Sequence, residues 1–201
     1  MPETTRVRRP RLTPERQVEL LTTALDLLIE VGYEALSMDS LAARARCSKA
    51  TLYRIWPTKP QLIAAALRAT GPTDASDIDT GSLRGDLVAM ADRFAPRAQQ
   101  DTALVAALNH AALTDPELAA TLRSALLEPD TAALARFIDL AVRRGELPAR
   151  PPAADLLSHL LFGVFVTRPV FDGSFADTAY LTRFIDDVVL PALHFPTLPA
   201  R

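Results

Sequence analysis

The chain has a single cysteine, Cys47, so it cannot form an internal disulfide or a cysteine-rich metal site. This scarcity is typical of proteins in a reducing compartment. Its three histidines, His110, His159 and His194, stand apart in the sequence, without a nearby cysteine or a pair of carboxylates. We therefore expect no metal ion, no cofactor and no catalytic residue.

Motifs of common enzyme families are missing too. The sequence has no GxSxG, no phosphate-binding GxxxxGK[ST], no GxGxxG and no HExxH. No apolar run reaches the ~18 residues of a membrane span. The charged start of the chain is not followed by the apolar segment of a secretory signal. These absences predict a cytoplasmic protein that is not an enzyme and does not enter a membrane.

Glycine is scarce, with 7 residues in a chain of 201, whereas segments rich in alanine and leucine are long. Alanine and leucine are strong helix formers, while few stretches are rich in the β-branched residues that strands prefer. We therefore predict an all-α protein of about nine helices. The length allows a small N-terminal domain and a larger C-terminal one.

Charge is distributed unevenly along the chain. Residues 1–70 contain 11 Lys and Arg against 7 Asp and Glu, a net charge of +4, whereas the remainder has a net charge of −6. A basic N-terminal part predicts contact with a polyanion. Residues 1–12 include four arginines, and we predict a disordered basic arm there. This arm either reaches phosphates or a minor groove, or is simply a solvated tail.

Residues 13–70 are predicted to form a helix-turn-helix unit. Thr13 and Pro14 are typical of a helix start, and Gly32 of a helix end, so the first helix covers about 14–31. Capping residues predict three further helices: 38–45 after Ser37, 49–55 after Ser48, and 59–70 after Thr58.

The third of these helices has two chemically distinct faces. At ~100° per residue, one arc holds Lys49, Tyr53 and Arg54 around the small Ala50, and the opposite arc holds Leu52, Ile55 and Trp56. A small central residue lets the backbone approach base edges, while lysine and arginine can donate to guanine or phosphate. An ordinary amphipathic surface helix is the alternative to a DNA-reading one.

The same stretch resembles the DNA-binding domain of the TetR/AcrR family of bacterial transcriptional regulators. The family pattern SxxxLAxxAxxSxxTLYRxxxxKxxL is matched at Ser37, Leu41, Ala42, Ala45, Ser48, Thr51, Leu52, Tyr53, Arg54, Lys59 and Leu62. The resemblance covers about residues 13–68. We predict that operator DNA is contacted by Ser37, Ser48, Lys49, Ala50, Thr51, Tyr53, Arg54 and Lys59. Lys59 is expected to bind a phosphate at the N-terminus of the fourth helix.

The turn of this unit departs from the family pattern. Arg46 and Cys47 stand where glycine and valine are usual, and arginine tolerates a left-handed backbone less well than glycine. We predict a strained turn, with Arg46 either exposed or near a phosphate. Cys47 takes the small apolar position, with a redox sensor as the alternative.

Residues 71–81, polar and acidic, are predicted to be a linker to a C-terminal domain, 82–201. Helices are expected at about 83–98, 102–113, 116–144 with a kink at Pro129, 153–169 and 177–193. The 153–169 helix is apolar almost all round, so it must be buried on several sides. The resemblance implies a homodimer through residues 153–169 and 177–193, which places two DNA-binding heads about 34 Å apart on a palindromic operator.

The resemblance also implies an effector cavity in the C-terminal domain. The residues predicted to line it are Met90, Phe94, Asn109, His110, Leu113, Phe137, Phe162, Phe165 and Val166. Packed core is the alternative for each aromatic residue. Asn109 and His110 are expected to be buried and to need a polar partner, which is either the ligand or a backbone carbonyl or water.

The resulting hypothesis is a ligand-responsive repressor released from its operator by a small apolar or aromatic effector. An activator or an effector-independent regulator is also compatible with the sequence. An alternative of another class is an all-helical scaffold or protein-interaction module with a vestigial helix-turn-helix.

Overall fold

The computed structural model describes residues 12–70 and 75–195, and within these residues it contains helices and turns but no β-strand. The α-helical segments are α1 Pro14–Ala35, α2 Met38–Arg44, α3 Lys49–Ile55, α4 Lys59–Thr70, α5 Leu83–Phe94, α6 Ala98–Thr114, α7 Pro116–Leu122, α8 Glu128–Arg143, α9 Leu157–Asp172, α10 Thr178–Phe184 and α11 Leu190–His194. Two π turns make α7–α8 and α10–α11 continuous, which leaves nine helical rods. The predicted all-α class is confirmed. Apart from Leu12, the predicted basic arm lies outside the described residues.

The first four helices form the head, residues 12–70. The hydroxyl of Thr13 caps α1 by accepting from the Arg16 amide at 3.3 Å, and the backbone breaks at Gly32 with a φ of 76°. One more helical turn then follows Gly32. The apolar stripe of α1, which includes Leu21, Leu25 and Leu28, is buried against the other helices of the head.

The core of the head does not end at the predicted domain boundary. Leu104, Leu108 and Ala111 of α6 and Leu118 of α7 belong to the same buried cluster as the apolar residues of α1 to α4. A second core joins α5 to α8, α9, α10 and α11. The chain therefore packs as two cores, and α6 and α7 pack with the head although they follow α5 in sequence.

The described part of the predicted linker is docked rather than free. We call residues 75–82 the strap. Arg136 donates to the carbonyls of Ala75 at 3.0 Å and Ile78 at 2.7 Å, and both of these apolar side chains are buried. Arg93 holds Asp77 through two bonds of 2.7 and 2.8 Å. The strap is thus part of the second core.

A buried carboxylate fixes the end of the strap. Asp86 of α5 has no exposed surface. It accepts from the amide of Thr80 at 2.6 Å and from its hydroxyl at 2.9 Å, and its other oxygen accepts from Arg144 at 3.0 Å. Arg144 also pairs with Asp79. Because a buried charge is costly unless it is paired and hydrogen-bonded, these contacts act as a unit.

Both π turns precede a proline. Residues Arg123–Leu127 come before Pro129, and Ile185–Val189 before Pro191. The Glu128 amide bonds five residues back to Arg123 instead of four, as expected for π geometry. A proline ring would clash with the carbonyl four residues before it, and a wider turn relieves that clash. A kink or a break was predicted at Pro129, and the structure instead has a π turn before it, through which the helix continues.

A third proline is accommodated by a side chain. Pro169 lies inside α9 and cannot donate to the carbonyl of Phe165. The buried hydroxyl of Thr102 donates to that carbonyl instead, at 3.3 Å. This bond fastens α6 to α9.

The last helices expose much of their apolar surface. Within the helix Pro152–Asp172 a stretch of 18 residues has a mean hydropathy of 1.3, and 11% of it is buried, so by length and composition alone the helix could cross a membrane, a test that core helices of soluble proteins also pass. The sequence has no uninterrupted apolar run of that length, and the helix reaches it because the 3₁₀ turn at Pro152–Leu156 extends α9. Val170 and Phe171 at its end are 82% and 83% exposed. Within a single chain, the helix predicted at 153–169 is therefore not buried on several sides.

Candidate nucleic-acid interface

Helices α2 and α3 are held by caps at both N-termini. The hydroxyl of Ser37 accepts from the amide of Ser40 at 3.0 Å, and the Ser40 hydroxyl accepts from the Ser37 amide at 3.1 Å. Ser48 caps α3 by accepting from the amide of Thr51 at 3.1 Å. Such reciprocal bonds satisfy amides that a short helix would otherwise leave without partners. The helix bounds in this region agree with the predicted ones to within a residue.

The turn between α2 and α3 has the predicted departure from ordinary geometry. Arg46 has a φ of 48°, and it is the one non-glycine residue with positive φ among those described. Its amide donates to Ala43 at 3.3 Å and that of Cys47 to Ala42 at 3.0 Å, a helix end that usually takes glycine. Partial burial raises the pKa of the Cys47 thiol, which disfavours the reactive thiolate of a redox sensor.

We expect Arg46→Gly to raise the free energy of unfolding by about 1 kcal/mol, because it removes the left-handed strain at this position. Urea unfolding followed by circular dichroism measures the change. Ala43→Gly is the matched control, since Ala43 is an exposed residue inside α2. There glycine should lower stability by a similar amount. A loss of stability in both variants would contradict strain at Arg46.

The two faces of α3 differ in burial as predicted. Leu52 is fully buried and Trp56, which follows the helix, is 5% exposed. On the opposite side Lys49, Ala50 and Arg54 are exposed, and the Tyr53 ring is 49% exposed. The apolar anchors hold the short helix in the head, so the cationic and aromatic side chains face solvent. We call this exposed face of α3 the reading face.

A carboxylate lies beside the reading face. Asp39 of α2 forms an ion pair with Lys49, and more than half of each side chain is exposed. A solvated pair of this kind contributes little to stability. It does, however, hold Lys49 and add a negative charge where a polyanion would approach.

Lys59 has partners within the head that the sequence did not indicate. Its ammonium is half-buried and donates to the carbonyls of Tyr33 at 2.9 Å and Leu36 at 3.2 Å. It also stands 3.9 Å from the centre of the Tyr33 ring, a cation–π contact. Lys59 therefore holds the end of α1, and its contact with a phosphate stays a prediction.

Family models match the chain in two places. One, described as bacterial regulatory proteins of the tetR family, matches residues 20–66. The other, described as the tetracyclin repressor-like C-terminal domain, matches residues 77–188, more than half of the chain. The protein belongs to the TetR family. It is therefore a DNA-binding transcriptional regulator and not an enzyme, which confirms both predictions.

Relatives of this TetR-family chain share most of its length. A DNA-binding transcriptional repressor TetR of Mycobacteroides abscessus is 36% identical over 181 residues, 87% of this chain and 92% of the relative. An uncharacterized HTH-type transcriptional regulator of Mycobacterium tuberculosis is 33% identical over 178 residues, 89% and 88% of the two chains. The match confirms the family for both halves of the protein.

Solved structures show the same fold. The TetR family transcription regulator SCO0332 has 25% identity and a TM-score of 0.66, over 90% of this chain and all of that one. The flavonoid-responsive regulator FrrA has 23% identity and a TM-score of 0.60, over 87% and 93% of the chains.

The residues predicted to line an effector cavity in this TetR-family protein fall into three groups. Asn109, His110 and Leu113 are exposed, so the expectation that the first two are buried was wrong. Helix α6 turns Leu104 and Leu108 toward the head, which directs these three side chains outward. Phe137 is fully buried in the second core and Phe162 is 38% exposed.

The remaining residues of the predicted cavity lie at the edge of the second core. Met90 is buried, while Phe94, Phe165 and Val166 are half-buried. The rings of Phe94 and Phe165 are 6.5 Å apart and tilted by 55°. Phe94 of α5 and Phe165 of α9 both pack against the second core, which also contains Met90, whereas Val166 is not among the residues of that core. Among the described residues no group of three or more His, Cys, Asp and Glu could hold a metal ion.

Asp130 is a feature that sequence analysis missed. It lies in the first turn of α8, on the helix face that bears the buried Leu134 and Phe137, and it is half-buried. Burial raises the pKa of its carboxyl to about 6. No local pattern marks a single aspartate as buried, because its setting depends on the packing of α8.

We expect the contribution of Asp130 to the free energy of unfolding to become more favourable as the pH falls from about 6 toward the ordinary carboxyl value of 3.8. In this window the folded state binds a proton at Asp130 more tightly than the unfolded state does, so the free energy of unfolding decreases as the pH increases. Asp130→Asn removes the titration and should add about 1 kcal/mol at neutral pH. Urea unfolding of both proteins across this range measures the effect. A difference between them that does not change with pH would contradict it.

Proposed function

We propose that the protein is a cytoplasmic, homodimeric repressor that binds a palindromic operator and is released by a small apolar or aromatic effector. The reading face of α3 is the observation that supports operator binding most directly. A short helix with a buried apolar side and an exposed cationic and aromatic side has the shape that a major groove accepts. Repression is proposed because the related regulator of Mycobacteroides abscessus is named a repressor.

On the DNA, Lys49 and Arg54 donate to phosphates or guanine edges and Tyr53 reaches the backbone. Ala50 leaves room for close approach. The capping hydroxyls of Ser37 and Ser48, with Thr51, bring polar groups to the same surface. Lys59 supports the head from inside. Because Asp39 holds Lys49, binding requires that this lysine change partners.

The dimer forms through α9 and the α10–α11 rod, about the residues 153–169 and 177–193 inferred from the sequence. Leu156, Phe162, Val170, Phe171 and Val188 are large apolar residues in this region that remain at least 38% exposed in the single chain. Exposed large apolar residues concentrated on the last helices support an interaction site there. A second copy related by a two-fold axis covers it and holds two heads side by side.

The effector binds among the apolar side chains of the second core, near Met90, Phe94, Phe165 and Val166. It releases DNA only if it binds better to a conformation in which the heads no longer fit successive grooves. The apolar setting favours an apolar or aromatic compound. Asp130 lies on the same core and adds a polar group that such a compound could contact.

A gel-shift titration with the DNA that flanks its own gene tests the function. The wild-type protein should give a sequence-selective shift that weakens with salt. Tyr53→Ala or Arg54→Ala should weaken binding by about tenfold or more, as for the loss of a good base or phosphate contact. Asp39→Asn should strengthen binding by about threefold at low salt, because it frees Lys49.

Damage to the fold would weaken DNA binding in every variant, whereas altered DNA contact should strengthen binding in Asp39→Asn and weaken it in the Tyr53 and Arg54 variants. Arg143→Ala removes an exposed arginine at the end of α8 and should leave the titration unchanged. If Asp39→Asn bound DNA more weakly than the wild type, or if the Tyr53 and Arg54 variants bound it as tightly as the wild type, DNA contact by the reading face would be contradicted. No shift on flanking DNA or on DNA selected from random sequence would exclude operator binding.

A further inference from the structure

A polar link joins the head to the remainder of the protein. The buried phenol of Tyr33, near the end of α1, donates to Oδ2 of Asp115 at 3.0 Å. Asp115 lies at the corner between α6 and α7, and its other oxygen, Oδ1, caps α7 by accepting from the Leu118 amide at 3.0 Å. One carboxylate therefore fixes the start of α7 and receives the end of α1.

The link continues into α4. The Lys59 ammonium stands over the Tyr33 ring and binds the carbonyls that end α1. Lys59, Tyr33 and Asp115 thus form a chain of contacts that connects α4, α1 and the α6–α7 corner. Lys59 begins α4, so the chain reaches the helix that directly follows the reading face.

Both ends of the Tyr33–Asp115 bond keep their charge states over the ordinary pH range. Burial and the neighbouring carboxylate raise the pKa of the Tyr33 phenol well above its usual value, so the phenol keeps its proton. The amide of Leu118 and then the Tyr33 hydroxyl lower the pKa of Asp115, so that side chain remains a carboxylate. A phenol donating to a carboxylate is a strong and directional bond.

The neighbouring contacts between α1 of the head and α6 are apolar, so they do not depend on direction as a hydrogen bond does. Helix α1 meets α6 through Leu104, Leu108 and Ala111, which pack against it as apolar groups. Apolar contact is non-directional, so it permits small rotations at little cost. The phenol–carboxylate bond instead depends on distance and angle.

An open surface groove of about 590 Å³ lies where the head meets α7 and the π turn after it, and α4 packs directly against both of these elements. Its lining residues are Gln17, Ile55, Trp56, Gln61, Arg68 and Ser124, with alanines and Thr121. Ile55 and Trp56 lie at the end of the reading helix, so the reading helix adjoins the junction between the head and α7.

We propose that Tyr33 and Asp115 are positioning residues that set the angle of the DNA-binding head against the corner between α6 and α7. In a dimer this angle determines the separation of the two reading faces. The pair therefore sets how strictly the protein selects the spacing between operator half-sites. This inference rests on the proposed dimeric operator binding.

The test uses an operator selected from random DNA with the full-length protein. Its half-sites are then moved together or apart by one base pair. The wild-type protein should lose about tenfold or more in affinity on either change, since half-site spacing mirrors the geometry of the dimer. Tyr33→Phe, which keeps the ring under Lys59, should lose less than about threefold, because one directional bond is gone.

Variants at Asp115 separate positioning from capping. Asp115→Ser keeps a good capping oxygen for α7 but has no second oxygen for Tyr33, so it should relax spacing selection like Tyr33→Phe. Asp115→Asn has one acceptor oxygen for the two donors that Asp115 serves, so with that oxygen capping α7 it places an NH2 group at the phenol and should also relax spacing selection. The double variant Tyr33→Phe with Asp115→Ser should be no more relaxed than either single one. Arg143→Ala, at an exposed position at the end of α8 outside the proposed dimer interface, is the control and should leave spacing selection intact.

The outcomes distinguish this inference from the proposed function. A spacing-sensitive wild type with equally sensitive Tyr33→Phe and Asp115→Ser variants overturns the positioning role alone. A wild type that binds all spacings equally overturns both this role and the dimeric mode of binding.

Discussion

Replacing Phe171 with glutamate is expected to make the protein a monomer and to weaken its binding to a two-site operator by about a hundredfold or more, because bivalent attachment is lost. Phe171 ends α9 and is 83% exposed in the single chain, next to Val170 at 82%. In a dimer through α9 the new carboxylate would be buried without a partner, which is strongly unfavourable. Sedimentation velocity and operator titration measure the two effects.

Leu113→Glu is the matched control for this substitution. Leu113 ends α6 and is 85% exposed, so it offers the same chemistry and nearly the same exposure outside the proposed interface. That variant should remain a dimer and bind the operator as the wild type does. A dimeric Phe171→Glu protein at micromolar concentration, or a monomeric Leu113→Glu protein, would show that the copies meet elsewhere.

Asp86→Ala should lower the free energy of unfolding by about 3 kcal/mol, the range expected when one partner of a buried ion pair is removed. The carboxylate has no exposed surface and accepts three bonds, from Thr80 and Arg144. Its removal leaves the strap amide of Thr80 without its acceptor and takes from Arg144 its one fully buried partner, while Asp79 and Glu146 remain beside that arginine. Urea unfolding gives the loss.

Asp79→Ala is the internal comparison, since Asp79 pairs with the same arginine but its side chain is 56% exposed. Its loss should cost less than about 1 kcal/mol, as for other solvated pairs. If the two variants lost equal stability, burial would not be what makes Asp86 important.

Most helix starts and ends in the head could be predicted from residues close to them in the sequence. A cap, a proline or a glycine acts within one helical turn, so the start of α1 at Thr13 and its break at Gly32 are legible in the sequence. The same holds for Gly145, whose φ of 78° ends the helix after Arg144. The anomalous turn at Arg46 was also predictable, because the backbone requirement there does not depend on distant residues.

Features that depend on packing between helices were not predictable in this way. Lys59 turned inward because the carbonyls that end α1 lie within its reach, which no spacing rule reveals. Asn109 and His110 faced solvent because α6 packs against α1 rather than around a central cavity. The docking of the strap depends on Arg136 and Arg144, more than fifty residues further along the chain.

The core that α6 and α7 share with the head bears on how chimeric regulators are built from this protein. A fusion that exchanges only residues 12–70 would set a foreign surface against Leu104, Leu108, Ala111 and Leu118, which are all nearly fully buried. A graft that moves α1 to α4 together with α6 and α7 would keep that surface intact. The functional unit for transplantation is therefore discontinuous in sequence, and a crossover at residue 70 divides it.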